Sequence, residues 1–201
     1  MTVLNTAFLR EAKDYLKRVH ECFTENHFKS IELLASDLME AWIKKKQVFI
    51  CGNGGSAANA LHIANDLHYG IGACGPSPTI SGIRVEALPA NPGVMTCLAN
   101  DIGYENVFSH QLEVKANQAD VLLVLSGSGN SPNVVNALQV GNELGMKTYA
   151  VVAYDGGKCK EIADQVIHFQ INDMQIAEDT QLLIGHICMQ WLNNNKANVS
   201  G

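Results

Sequence analysis

The chain has 201 residues, a formal net charge of −6 and a pI near 5.6, which permits a sizeable core and argues against nucleic acid or an anionic membrane as the main partner. Only 17% of the residues are charged and 47% are hydrophobic, which excludes a disordered chain. Arginine is scarce, with Arg10, Arg18 and Arg84 as the complete set, so an anion bound here would depend largely on neutral donors.

Residues 1–10 lack the basic and apolar segments of a signal peptide, and no window approaches the ~18 apolar residues of a membrane span. The six cysteines are scattered along the chain without a CxxC pair, and several lie in apolar segments, as reduced core cysteines do. We therefore expect a cytoplasmic protein that contacts no membrane.

The N-terminal part of the chain is predicted to be helical. Residues 6–46 contain neither glycine nor proline and carry apolar residues at helical spacing, so we expect two helices within residues 1–46, as part of the same domain as the rest. Short apolar segments then predict five strands, at 47–51, 83–88, 121–125, 148–152 and 166–169. Helical patterns separate or follow them, at 56–69, 93–100, 105–117, 132–144, 157–164 and 175–193.

This alternation of strands and helices predicts an α/β fold. We expect one three-layer αβα domain over 47–193, with a five-stranded parallel sheet of the flavodoxin-like or Rossmann-like kind. Continuous apolar strands are typical of a sheet that is buried on both faces. The polar segment 194–201 is predicted to be a flexible tail.

Two of the strands lead into loops of glycine and serine that precede a helix. The first loop, 52–56, reads Gly-Asn-Gly-Gly-Ser, and the second loop, 126–131, reads Ser-Gly-Ser-Gly-Asn-Ser. Such loops present backbone N–H groups and hydroxyls at the positive end of a helix dipole, where an anion can bind. Neither loop matches a P-loop or a complete GxGxxG motif. A small phosphorylated ligand is therefore favoured over a nucleotide, and the alternative is that both loops are only tight turns.

The two loops resemble the signature loops of SIS (sugar isomerase) domains, and three other short motifs fit the same group: Asn100-Asp101, Gly103-Tyr104 and Asp155-Gly156-Gly157. Within that superfamily the chain is most similar to the sedoheptulose 7-phosphate isomerases, also called phosphoheptose isomerases. It is also related to the initiator-associating proteins of bacterial replication. The resemblance covers about residues 5–193.

The resemblance implies a set of substrate-binding residues. Serine hydroxyls and backbone amides of the two loops would hold the phosphate, and Asn53 and Asp101 would contact sugar hydroxyls. The second loop usually carries threonine where this chain has Gly127, so one hydroxyl is missing. The complete expected set is Asn53, Gly54, Gly55, Ser56, Asp101, Ser126, Gly127, Ser128, Ser131 and Glu178.

The resemblance also implies a catalytic and metal-binding quartet, formed by His62, Asp66, Glu178 and His186. In metal-containing relatives these positions bind zinc, and Zn²⁺ is the expected cofactor. The family has glutamate at the position of Asp66 and glutamine at that of Glu178. His62 and Asp66, four residues apart on one helix face, can converge on one ligand. Glu178 and His186 lie two turns apart, about 12 Å along a helix.

Several roles stay open for this quartet. His186 is expected to be the general acid. Asp66 is expected to be the base, a metal ligand only, or idle, because the side chain is one methylene shorter than glutamate. The alternative for the first pair is that His62 is a structural histidine and Asp66 a solvated helix residue.

The leading interpretation is an enzyme, a phosphosugar isomerase that converts sedoheptulose 7-phosphate to D-glycero-D-manno-heptose 7-phosphate through an enediol. One alternative is a non-catalytic SIS protein that binds a phosphosugar or a replication initiator. The other is an isomerase of a different ketose phosphate. The resemblance implies a homotetramer, assembled through the two N-terminal helices, with active sites between subunits and no direct contact with nucleic acid.

Overall fold

The computed structural model describes residues 3–75 and 79–199, with side chains from residue 6 onward. The outermost residues of the two predicted terminal segments, 1–2 and 200–201, lie outside the described residues.

The N-terminal segment forms helices α1 (Val3–Glu21) and α2 (Glu25–Ile43), as its lack of glycine and proline predicts. A capping box starts α2, where the Thr24 backbone N–H donates to His27 Nδ1 at 3.1 Å. Leu34, Leu38 and Trp42 of α2 are buried in the core. Helix α2 therefore covers one face of the sheet, whereas α1 carries exposed apolar side chains such as Leu16.

The sheet has five parallel strands in the order β2-β1-β3-β4-β5, which confirms the predicted fold class. Consecutive side chains alternate between the two faces: Val48 and Ile50 pack in one apolar cluster, and Phe49 and Cys51 in the other. Both faces are covered, as the continuous apolar strands predict. The strands are β1 (Gln47–Cys51), β2 (Arg84–Ala87), β3 (Val121–Ser126), β4 (Lys147–Val152) and β5 (Gln165–His168).

The remaining helices follow the predicted segments, except that Ile71–Ala73 forms a short helix outside them and that two predicted helices are interrupted. The predicted helix 56–69 ends its regular part at Asn65 and continues as a π-helical turn, Asp66–Gly70. The predicted helix 105–117 is divided into a 3₁₀ turn, Tyr104–Asn106, and a shorter helix. The helices are α3 (Gly55–Asn65), α4 (Ile71–Ala73), α5 (Pro92–Asp101), α6 (Ser109–Lys115), α7 (Pro132–Glu143), α8 (Gly157–Ile162) and α9 (Met174–Asn194).

The C-terminal segment is described as far as Val199. It forms a 3₁₀ turn, Lys196–Val199, and Lys196 is 5% exposed. The Lys196 ammonium donates to the carbonyls of Gly72 and Cys74 at 3.2 and 3.1 Å. The described part of this segment therefore packs against the end of α4.

The strand order determines where a ligand can bind. The connection from β1 leads to β2 on one side of β1, whereas β3 lies on the other side and continues to β4. Where the connections after two adjacent parallel strands run in opposite directions, a crevice forms at the carboxyl ends of those strands. The two glycine- and serine-rich loops follow β1 and β3, so both border this crevice.

Candidate active site

The first loop, 52–56, turns sharply from β1 into α3. Gly54 has a φ of +55°, in the region that favours glycine. A Cβ at Gly52 would lie 2.7 Å from the Leu125 carbonyl oxygen, so only glycine lets this loop approach the end of β3. Helix α3 then begins at Gly55 with its N–H groups at the crevice.

Hydrogen bonds between serine side chains and backbone N–H groups fix the conformation of the second loop, 126–131. The Gly129 N–H donates to Ser126 Oγ at 3.1 Å, and the Asn130 N–H donates to Ser128 Oγ at 3.3 Å. A hydroxyl that accepts a backbone N–H keeps its own proton for another acceptor. Ser126 and Ser128 are therefore prepared to donate to an anion, next to the start of α7.

Gly127 differs from the threonine usual in the family, and Met174 takes up the room. A Cβ at Gly127 would lie 2.6 Å from Met174 Sδ. The Gly127 carbonyl accepts a hydrogen bond from the Ala153 N–H at 2.9 Å. The loop thus loses one hydroxyl and gains a thioether beside it.

Asn53 lies in a network that joins the two loops. Asn53 and Asn133 exchange side-chain hydrogen bonds at 2.8 Å in both directions, and Tyr104 Oη donates to Asn53 Oδ1 at 2.9 Å. Sequence reasoning missed Asn133 and gave Tyr104 no role. An Asn two residues after the second loop was the available signal, but only the folded chain shows that it faces Asn53.

Asp101 is exposed at the end of α5. It accepts hydrogen bonds from Cys97 Sγ at 3.5 Å and from Asn100 Nδ2 at 2.7 Å. Neither of these two hydrogen bonds joins Asp101 to one of the two loops, and a contact of Asp101 with a sugar hydroxyl stays a prediction. The bond with Asp101 raises the pKa of the Cys97 thiol.

Helices α3 and α9 lie side by side and pair along their length. Gly55 of α3 faces Glu178 of α9, and one turn later Asn59 Nδ2 donates to Gln181 Oε1 at 3.1 Å. A further turn along, His62 Nε2 lies 3.0 Å from His186 Nε2. This close packing requires glycine at position 185, because a Cβ there would lie 2.5 Å from Ile63.

His62, Asp66 and His186 form one cluster, and their possible ligand atoms all lie within 4.8 Å of one another. Asp66 Oδ2 is 3.5 Å from His62 Nε2 and 3.6 Å from His186 Nε2. The cluster is partly open to solvent, with Asp66 the most buried member. The sequence prediction that His62 and Asp66 converge is therefore confirmed by geometry.

The π-helical turn that begins at Asp66 is stabilised from outside the helix. The Ile83 N–H donates to the Leu67 carbonyl at 2.9 Å, which satisfies a carbonyl at the turn. Gly70 allows close packing against α9, since a Cβ there would lie 2.9 Å from Met189 Cε. Such turns occur often at functional sites, and this one starts at the carboxylate of the cluster.

Glu178, expected to be the fourth ligand, is not part of this cluster. Its carboxylate lies beside Gly55, where a Cβ would be 2.3 Å from Oε1. The reason is the register of the two helices, because residues two turns apart on α9 face points two turns apart on α3. The structure thus brings together three of the four predicted residues and places the fourth at the first loop.

The three clustered residues fit a zinc ion. Zinc binds nitrogen and oxygen at about 2.0–2.1 Å, and in a tetrahedron this separates the ligand atoms by roughly 3.3 Å. The observed separations are 3.0, 3.5 and 3.6 Å. Three protein ligands with a fourth position left open are the arrangement of catalytic rather than structural zinc sites.

The buried cysteines take no part in this chemistry. Burial raises the pKa of Cys51 far above its ordinary value and raises those of Cys159 and Cys188 to about 12. All six cysteines of the chain are free thiols. The three buried ones therefore stay protonated and serve as core residues.

In the part of the chain that the structure describes, no helix is both long and apolar enough to cross a membrane.

Comparison with known proteins gives consistent results. Residues 7–153 match the family model described as SIS domain. A phosphoheptose isomerase of Helicobacter pylori is 35% identical over 177 residues, which cover 87% of this chain and 86% of that relative. A phosphoheptose isomerase of Aliarcobacter butzleri is 38% identical over 149 residues, which cover 74% and 76%.

Solved structures share the fold over nearly the whole chain. Phosphoheptose isomerase GmhA of Neisseria gonorrhoeae superposes with a TM-score of 0.77 at 26% identity, over 94% of this chain and 96% of that one. A phosphoheptose isomerase of Francisella tularensis, at 21% identity, gives a TM-score of 0.79 over 96% of this chain and 100% of that one. The chain therefore belongs to the SIS domain family, and the relatives described above are phosphoheptose isomerases.

Proposed function

We propose that the protein is a phosphosugar isomerase that interconverts sedoheptulose 7-phosphate and D-glycero-D-manno-heptose 7-phosphate. The observation that carries the proposal is the cluster of His62, Asp66 and His186, in which His62 lies on the helix that starts at the first loop. His62 lies about 10 Å along that helix from Gly55, a distance that a long sugar phosphate can span. The relatives named phosphoheptose isomerase support the choice of substrate.

The phosphate is bound by neutral donors in this proposal. The hydroxyls of Ser56, Ser126, Ser128 and Ser131 and the amides of Gly54, Gly55 and Gly127 surround the start of two helices. Helix dipoles favour an anion there. Arg18 supports this interpretation indirectly, because its guanidinium is already paired with Asp14 and Asp173.

The reaction needs one base and one acid. The base removes a proton from C1 of the ketose while the acid gives a proton to the C2 carbonyl oxygen, and a 1,2-enediol results. Return of a proton to C2 and loss of the proton from the C1 hydroxyl complete the aldose. Without a bound metal, Asp66 is the proposed base and His186 the proposed acid, since both lie in the cluster. An atom that binds zinc cannot also transfer a proton, so with zinc bound the metal would take over the role of the acid.

Zinc is the proposed cofactor, held by His62, Asp66 and His186. When bound, it supplies a positive charge that polarises a carbonyl oxygen. Glu178 contacts the substrate in this proposal rather than the metal, because its carboxylate lies beside Gly55.

The protein is further proposed to assemble as a homotetramer, with sites completed between subunits. The support is an apolar groove of about 510 Å³ between α1, α2 and α9. Exposed Leu16, Phe28, Leu183 and Ile187 line this groove. A cytoplasmic location is supported by the six unpaired cysteines. Light scattering of the purified protein tests the assembly: a fourfold mass supports it, and a monomer contradicts it.

The decisive experiment follows sedoheptulose 7-phosphate by NMR, with and without added zinc, and measures bound metal in the same sample. The proposal expects the aldose signal to appear and expects His62→Ala to lose both metal and turnover. His110→Ala, which removes a histidine of α6 paired with Glu113, is the matched control and should keep both. Absence of conversion under every metal condition would favour a binding protein without turnover.

A further inference from the structure

Asn133 is a buried polar residue that lies at the start of α7, directly after the second loop. We infer that Asn133 is a positioning residue that holds Asn53 as a hydrogen-bond donor to the sugar phosphate. The inference rests on the proposed function, in which the first loop binds this substrate. Asn133 is 1% exposed, so it acts through Asn53 and does not touch the ligand.

The orientation of the Asn133 amide is set by the backbone. The Val134 N–H donates to Asn133 Oδ1 at 3.0 Å. A backbone N–H cannot accept a hydrogen bond, so the oxygen of Asn133 must lie on this side. The other atom of this amide, Nδ2, is then the donor to Asn53 Oδ1.

The orientation of the Asn53 amide follows from that of Asn133. Asn53 Oδ1 accepts from Asn133 Nδ2 at 2.8 Å and from Tyr104 Oη at 2.9 Å, which occupies both of its lone pairs. Asn53 Nδ2 gives one proton to Asn133 Oδ1, also at 2.8 Å. The second proton of Asn53 Nδ2 is the one hydrogen-bonding group of this side chain that remains for a ligand among the described residues.

Asn53 can therefore only donate to a ligand. Its partner must be an oxygen of the sugar or of the phosphate, and the geometry selects against a donor group at that position. Because Asn53 is in the first loop and Asn133 follows the second, the pair also sets the distance between the two loops. A carboxylate at position 133 could not do this, since it has no proton for Asn53 Oδ1.

The test measures binding and turnover of sedoheptulose 7-phosphate for four proteins: wild type, Asn133→Ala, Asn53→Ala and the double variant. Each single substitution is expected to raise Kd and KM about tenfold, with kcat within about twofold, because one hydrogen bond to the substrate is lost. The double variant is expected to be no worse than either single one, because the two residues act as a unit.

Asn136→Ala is the matched control. Asn136 lies one turn later on α7 and donates to the Glu105 carbonyl at 3.0 Å, so it stabilises the same region without reaching Asn53. This variant is expected to lose some thermal stability and to keep Kd. Asn133→Asp, which preserves size, is expected to bind as weakly as Asn133→Ala.

A second measurement needs no ligand. In the ¹H–¹⁵N spectrum of the free protein, one side-chain amide proton of Asn53 is expected to exchange with solvent more slowly than the other. In Asn133→Ala both are expected to exchange alike. Equal exchange in the wild type, a wild-type Kd in Asn133→Ala, or additive losses in the double variant would each overturn the inference. If the wild type neither binds nor converts the sugar phosphate, the proposed function fails, and amide exchange still decides whether Asn133 holds Asn53.

Discussion

Two regions of the molecule, the amino end of β4 and the candidate active site, differ in how their charged groups are paired. At the amino end of β4, Lys147 Nζ lies 2.7 Å from Asp37 and 2.6 Å from Glu40, and buried Tyr149 donates its hydroxyl to Asp37. At the candidate active site, the Asp66 carboxylate faces two histidines, and in the described chain it has no salt bridge with lysine or arginine.

We infer from this difference that the first region stabilises the fold and that the second binds a ligand. At the amino end of β4 the charge of Lys147 is compensated by Asp37 and Glu40, which fixes α2 to the sheet. At the candidate active site the hydroxyls, amides and imidazoles keep hydrogen-bonding capacity that a ligand would use. The substitutions predicted below change one region or the other, and they are ordered by the size of the expected effect.

The largest effect is expected for Asp66→Asn at the candidate active site. The amide keeps the size of the side chain but cannot act as a base, and it is a poor zinc ligand. Turnover is expected to fall about 10²- to 10⁴-fold, with loss of bound zinc and little change in melting temperature. Steady-state kinetics and metal analysis on the same sample check this. Wild-type kcat in Asp66→Asn would remove Asp66 from the chemistry.

The next effect is expected at the amino end, for Asp37→Ala. This substitution leaves the buried Tyr149 hydroxyl without its partner and leaves Lys147 paired with Glu40 alone. The free energy of unfolding is expected to fall by about 1–3 kcal/mol, as for other buried groups that lose a hydrogen bond. Urea denaturation measures it, and kcat is expected to stay unchanged.

Tyr149→Phe combined with Asp37→Ala provides the control for that prediction. Removal of both partners is less costly than removal of one, so the double variant should be more stable than Asp37→Ala alone. A double variant that is less stable than the single one would show that packing, and not the hydrogen bond, dominates at this end.

The sheet could be predicted from the sequence because strand formation here depends on short segments of consecutive apolar residues. Five apolar segments, such as 121–125, can hardly be anything but strands buried on both faces, and the glycine- and serine-rich loops follow two of them directly. His62 and Asp66 were predicted to converge because four residues along one helix suffice for the argument.

The rest of the site depends on the packing of distant segments. No local pattern gives the register of α3 against α9, so Glu178 was expected at the metal and lies beside Gly55 instead. The pairing of Asn53 with Asn133 joins residues 80 positions apart. The π-helical turn at Asp66 requires the Ile83 N–H as a partner, and the sequence near Asp66 does not contain that information.

A smaller effect is expected for Glu178→Gln at the first loop. The carboxylate lies at the start of α3, where a phosphate is proposed to bind, so it repels that anion. Its removal is expected to tighten the binding of inorganic phosphate about two- to fivefold, the size of typical interactions with a helix dipole. Calorimetric titration measures this. Asp179→Asn makes the same change of charge at a residue paired with Tyr15, and it should leave the affinity unchanged.

The smallest effect concerns pH at the amino end. Hydrogen bonds with Lys147 and Lys44 lower the pKa of Glu40 from 4.5 to about 2. The folded state therefore releases this proton more readily than the unfolded state, so Glu40 stabilises the fold at pH values above about 4.5. That contribution declines as the pH falls from 4.5 and is gone below about 2.

The melting temperature of wild type minus that of Glu40→Gln should follow this course, most clearly at low salt because the pair is exposed. Glu32→Gln, on the exposed face of the same helix, controls for the change of charge. A difference that stays constant from pH 6 to pH 2 would contradict the role of the Lys147 pair.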